Sequence, residues 1–71
     1  MKKVYIAASY TAHALAEEVA GILAPYCEVV STWHKAENVV DDETLDRWNA
    51  YQRAGVDLSQ IYYSDCLLYL S

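Results

Sequence analysis

Two strand-length apolar runs, residues 3–8 (KVYIAA) and 66–70 (CLLYL), constrain the fold of this chain more than anything else in it. Both are apolar throughout instead of alternating with polar residues. Alternation marks a strand with one wet face, whereas continuous apolarity marks a strand covered on both faces, as in the centre of a parallel sheet. Parallel strands need crossovers, and the sequence between the two runs provides them. Leu15, Val19, Ile22 and Leu23 recur at helical spacing and predict a helix over residues 12–24 that buries this stripe and turns Glu17 and Glu18 to water. Ser9 or Thr11 is placed to cap it, and Pro25 ends it by lacking a backbone donor.

Residues 28–33 predict a short second strand, running on toward His34. Asp41 or Asp42 then offers an N-cap for a second helix to about residue 62, with Leu45, Trp48, Tyr51, Leu58 and Ile61 on its apolar face. Gly55 lies inside that helix and marks a kink, a close contact or a break. The order strand, helix, strand, helix, strand with right-handed crossovers gives an α/β, flavodoxin- or Rossmann-like three-layer domain with a parallel sheet of order 2-1-3. The 71 residues are at most one domain, read as the front half of a doubly wound sheet cut after strand 3. A dimer that covers the third strand's edge is the alternative.

In such sheets ligands bind beyond the strand C-termini, which brings the turns at residues 8–11 and 32–35 into the expected crevice. The first turn carries neither a GxGxxG nor a Walker pattern, so a dinucleotide or P-loop role is disfavoured. Ser9 there is either a cap or a contact for a hydroxyl or phosphate, and Tyr10 either stacks on a flat base or sits on the surface. Tyr5 reads as a core aromatic whose hydroxyl needs a buried partner, a role a catalytic carboxylate would fill. Asp57 borders the apolar face of the second helix and is either a site acid or a surface partner of Arg53 at i−4. His34 leaves the second strand inside the crevice, while His13 has no evident partner.

The net charge of −5 argues against a nucleic-acid polymer as partner. Asp41, Asp42 and Glu43 are accounted for by capping, and neither Cys27 nor Cys66 has a ligand at metal spacing, so no metal and no cofactor is expected. No stretch approaches the roughly 18 apolar residues of a membrane span. With two distant cysteines and no leader-like run, the expected setting is cytoplasmic, with both thiols reduced.

Taken in order, KVYIAASY, VVSTWH and AYQRAGVDLSQIYYSDCLLYLS resemble the nucleoside 2-deoxyribosyltransferase-like family, which includes deoxynucleoside-monophosphate N-glycosidases and phage-type relatives. The resemblance spans the chain and is most specific at Asp57-Leu58, Ile61 and Ser64-Asp65 before the last strand. It implies cleavage or transfer at the N-glycosidic bond of a deoxynucleoside or its 5′-monophosphate, in a homo-oligomer. Asp57 would handle the proton of the leaving base, Tyr5 would contact the nucleophilic carboxylate, and the turn at Ser9 and Tyr10 would touch sugar, phosphate or base; His34 is a further substrate-binding candidate by its place in the crevice. The family's nucleophilic Glu lies on the helix after strand 3, and this sequence ends before it. None of Glu17, Glu18, Glu28, Glu37 or Glu43 is placed to replace it, so the segment alone is expected to be inactive. A non-catalytic nucleotide-binding module and a flavodoxin-like interaction domain remain the alternatives.

Overall fold

A computed structural model describes residues 1–70. Three strands, β1 (Lys3–Ala7), β2 (Glu28–Val29) and β3 (Cys66–Tyr69), form one parallel sheet of order β2-β1-β3. The helix α1 (His13–Leu23) crosses from β1 to β2. Three short helices, α2 (Asp42–Arg47), α3 (Ala50–Arg53) and α4 (Leu58–Tyr63), make the crossover to β3. This is the α/β doubly wound arrangement expected from the apolar runs. Val4, Tyr5 and Ile6 of the central strand are all buried, as their continuous apolarity requires.

Four local expectations are corrected. The first concerns the face of α1. Ala16 and Ala20 are the buried residues, whereas Leu15 is 45% and Ile22 63% exposed. Small side chains let α1 lie close to the sheet, and the larger residues flank the contact. Neither Ser9 nor Thr11 caps α1. A 3-10 turn at Tyr10–Ala12 leads into it, and the two hydroxyls bond each other at 3.0 Å.

The second correction concerns β2, which pairs over two residues and not six. Beyond Val30, side chains replace the ladder: Ile6 N donates to Ser31 Oγ at 3.2 Å, and Trp33 Nε1 donates to Ile6 O at 2.8 Å. Ile6 is thereby satisfied without further strand pairing.

Third, the single long helix predicted up to residue 62 is broken twice. Trp48 is extended, and Asn49 and Gln52 form a reciprocal capping box that starts α3 afresh. Gly55 then takes φ +59, where an added Cβ would come within 2.7 Å of the Trp33 ring. Both a break and a close contact therefore occur at Gly55. Tyr51 and Leu58, expected on a buried face, are exposed.

Fourth, Asp57 does not sit late in a helix. It is the N-cap of α4. Asp41 caps α2 by accepting from Thr44 N at 2.7 Å.

Candidate functional site

The segment between α3 and α4 is held from below by Tyr5. This side chain rises from the middle of β1, is 1% exposed, and donates its hydroxyl to Gly55 O at 2.6 Å. The same oxygen accepts from Asp57 N at 3.2 Å. The partner of the buried Tyr5 hydroxyl is thus backbone on either side of Val56, not a carboxylate side chain. Burial pushes the Tyr5 phenol above its ordinary range, and the nearby Asp57 charge adds to this, so it stays a neutral donor. From above, the Trp33 ring packs on Gly55. A core tyrosine and an indole clamp the turn that presents Asp57.

Asp57 itself is exposed, and its carboxylate accepts from Ser59 Oγ at 2.6 Å and Ser59 N at 3.0 Å. These bonds, the Ser59 hydroxyl first, hold its carboxyl below the usual carboxylate range, so it is ionised at neutral pH. Among the described residues Arg53 makes no ion pair with it.

Two cavities meet at this turn. One, of about 250 Å³, is lined by Tyr10, Trp33 and Trp48 with Asn38, Gln52, Gln60 and Asp57. The other, of about 370 Å³, lies at the C-terminal ends of β1 and β3, where Tyr5, Ser9, Val56, Ile61, Leu67 and Tyr69 border it. Val56 borders both.

The five residues singled out from sequence are therefore divided. Asp57 and Tyr10 line the smaller cavity, and Tyr5 and Ser9 line the larger. His34 lines neither. It is 2% exposed beside α1, with Nε2 2.7 Å from Ser31 Oγ and Nδ1 3.3 Å from Glu17 Oε1. This has the connectivity of a nucleophile, base and acid, but the Ser31 hydroxyl is fully buried and already takes the Ile6 N–H, so it fastens β2 to β1. Glu17, expected only to face water, supplies one end of that chain.

Tyr10 is buried as well. Its hydroxyl donates to Asn38 O and accepts from Val40 N at 3.0 Å, and its ring meets Trp48 edge-on at 5.4 Å. It therefore anchors the loop after β2, with its ring forming part of the cavity wall. Gln60 closes the other side: its Oε1 accepts from Thr32 N at 3.2 Å, and its Nε2 donates to Thr32 Oγ1 at 2.8 Å.

Sequence reasoning left Trp48, Asn38, Gln52 and Gln60 out of the site. Asn49-x-x-Gln52 is a readable capping signal, but it does not show that Gln52 borders a cavity. Gln60 carries no local signal, because its partner is 28 residues away. Among the described residues no three His, Cys, Asp or Glu side chains gather to hold a metal ion. Among the described residues no helix is long and apolar enough to cross a membrane. No protein-family model matches the chain, and no curated protein or solved structure shows significant similarity to it.

Proposed function

We propose that the paired cavities around Asp57 bind a deoxynucleoside or its 5′-monophosphate, and that the N-glycosidic bond is cleaved or transferred there. The observation that carries this reading is Asp57: a structurally clamped carboxylate beside an aromatic-walled cavity, at the end of a parallel sheet where such folds take ligands. Tyr10, Trp33 and Trp48 offer ring faces and edges to a base. Asn38, Gln52 and Gln60 offer amide groups that can both donate and accept.

In the reaction, a carboxylate oxygen attacks the anomeric carbon as the bond to the base breaks, and the base leaves with the electron pair and takes up a proton from solvent water. Water or a second base then displaces the carboxylate. Ionised Asp57 is suited to accept: it takes a hydrogen bond from the bound base, or the proton of the attacking water. Among the described residues Asp57 is the one carboxylate bordering either cavity, and this reading gives none of them the nucleophile's role. A cytoplasmic setting with reduced Cys27 and Cys66 belongs to the same reading. One observation favours a second reading, a binding module without chemistry, and it is again the lack of a second lining carboxylate.

The test is titration of the 71-residue chain with 2′-deoxynucleosides, followed by the NMR signals of the two Trp indole N–H groups. Saturable shifts at both, without release of free base, are expected. Unmoved indole signals at millimolar ligand would overturn the assignment of the site. Base release by a longer protein containing this chain would separate the enzyme from the binding module.

A further inference from the structure

Trp33 and His34 are consecutive, yet they pack on opposite sides of the sheet. The Trp33 ring lies on Gly55 and walls the smaller cavity, whereas His34 is buried beside α1. Both are tied to one residue of the central strand. Trp33 Nε1 donates to Ile6 O at 2.8 Å, and Ser31 Oγ, the partner of His34 Nε2, accepts from Ile6 N at 3.2 Å. We propose that Glu17, His34 and Ser31 form a pH-sensitive latch that holds Trp33 in the cavity wall, closed while the imidazole carries one proton and released when it gains a second. The inference concerns the wall itself and stands whether or not a nucleoside is the ligand of the cavity.

The direction of each bond follows from what its partners can do. An ionised Glu17 carboxylate only accepts, so Nδ1 carries the imidazole proton at its 3.3 Å contact with Oε1. Nε2 is then a bare acceptor, and Ser31 Oγ, 2.7 Å away, donates to it. The same oxygen keeps a lone pair for Ile6 N–H. This order of protons satisfies every group in the chain of contacts. The other tautomer would set a nitrogen lone pair against the carboxylate.

A second proton goes to Nε2, where it meets the Ser31 hydroxyl proton. Ser31 has no exposed surface and His34 is 2% exposed, so the displaced O–H finds no water. A buried donor without an acceptor is costly, and Ser31 escapes that cost only by turning its oxygen away from Ile6 N–H. The other charged and titratable groups around the imidazole are Glu17, Glu18 and His13 on α1, Cys27 beyond its end, and Lys35 next in the chain. The two carboxylates attract an imidazolium, and Lys35 repels it. They act across two open cavities of about 580 and 560 Å³, and the Glu17 side chain is 47% exposed, so water screens them. The Ser31 contact is sealed and unscreened, and it decides the outcome. Glu17 and His34 border both cavities, which give the proton its way in. A closed latch and a doubly protonated imidazole exclude each other, so falling pH opens the latch.

The experiment follows the ligand-free 71-residue chain by NMR from about pH 8 to about pH 5, the range over which imidazoles ordinarily change charge. It reads the ring nitrogens of both histidines and the exchange protection of the Ile6 amide and the Trp33 indole N–H, corrected for the intrinsic pH dependence of exchange. At the upper end His34 is expected as the Nδ1–H tautomer. Both protections are expected to fall about tenfold, the loss of one typical hydrogen bond, in step with the His34 ring signals. His13→Gln, which removes the other imidazole, is expected to leave this fall in place, and His34→Gln to abolish it. An Nε2–H tautomer, or protection that holds to the lower end of the range, would overturn the latch. So would a fall that follows the His13 ring or survives in His34→Gln. If His34→Gln does not fold, the tautomer and the match between protection and the His34 ring in the parent decide the matter by themselves.

Discussion

At Tyr5 one oxygen atom joins the core to the site. Its two hydrogen bonds satisfy Gly55 O and Asp57 N in the turn between α3 and α4. Tyr5→Phe keeps the ring in place and removes both bonds, so a loss of about 1–3 kcal/mol is expected in denaturant titration. If that variant melts with the parent, the clamp is not what holds the turn. Gly55→Ala tests the opposite side of the same turn. A left-handed alanine and a Cβ inside the Trp33 ring contact cost at least about 2 kcal/mol together. Asp57 adds a pH dependence. Its folded carboxyl titrates below the unfolded one, so its cap is fully effective above about pH 4 and is lost as the pH falls through the folded value. Asp41, held down by Thr44, acts in the same window and direction. The melting temperature should therefore fall on acidification below about pH 4, and Asp57→Asn should flatten that fall. An equal acid slope in parent and variant would remove Asp57 from the account.

The elements divide into those legible in the sequence and those fixed only by distant contacts. β1 and β3 were legible as strands because continuous apolarity is a property of the run itself, but the cover on both faces that it implied holds for β1 alone: Cys66, Leu67 and Tyr69 of β3 are exposed. The ends of α1 were legible to within a residue or so, because Pro25 is a backbone constraint. The buried face of α1 was not legible: hydrophobic size pointed to Leu15 and Ile22, while proximity to the sheet selected Ala16 and Ala20. Leu15→Ala should accordingly cost about 1 kcal/mol or less, far from the 2–5 kcal/mol of a core leucine. Ala16→Leu, which pushes α1 off the sheet, should cost about 1–3 kcal/mol. A reversed order of the two melting midpoints would restore the leucine stripe as the core. The long helix failed for a different reason. Its apolar spacing was genuine, but Asn49 and Asp57 are stronger local signals as caps than the stripe is as a helix. The site shared this division. Asp57 and Tyr10 are found at one cavity, yet Gln60 and Trp48 reach it only through the folded chain.

For the whole molecule, the open side of the sheet sets the behaviour in solution. The radius of gyration is 11.9 Å, against about 11.1 Å for a compact chain of this length. The accessible surface of 4751 Å² is close to the roughly 4,450 Å² expected for its mass. The chain is therefore nearly as compact as its size allows, and its exposed large apolar side chains are spread from α1 through α3 and α4 to β3. Part of this exposed surface lies along β3, which pairs with β1 on one side and with no strand on the other among the described residues. Leu67 is exposed there, and Tyr69 is 76% exposed. Protein edges of this kind are normally blunted by a lysine, a proline or a bulge, and residues 66–70 carry none of these. The N–H and C=O groups of its outer edge are open to another strand, with apolar side chains flanking them. The 71-residue chain should therefore self-associate as its concentration rises, and sedimentation velocity should show the average mass climbing. Tyr69→Lys places a charge on that edge without entering the core, so it should shift the chain toward monomer while leaving the unfolding free energy within about 0.5 kcal/mol of the parent. A parent that stays monomeric at millimolar concentration, or a Tyr69→Lys variant that associates equally well, would show that the open strand does not govern association.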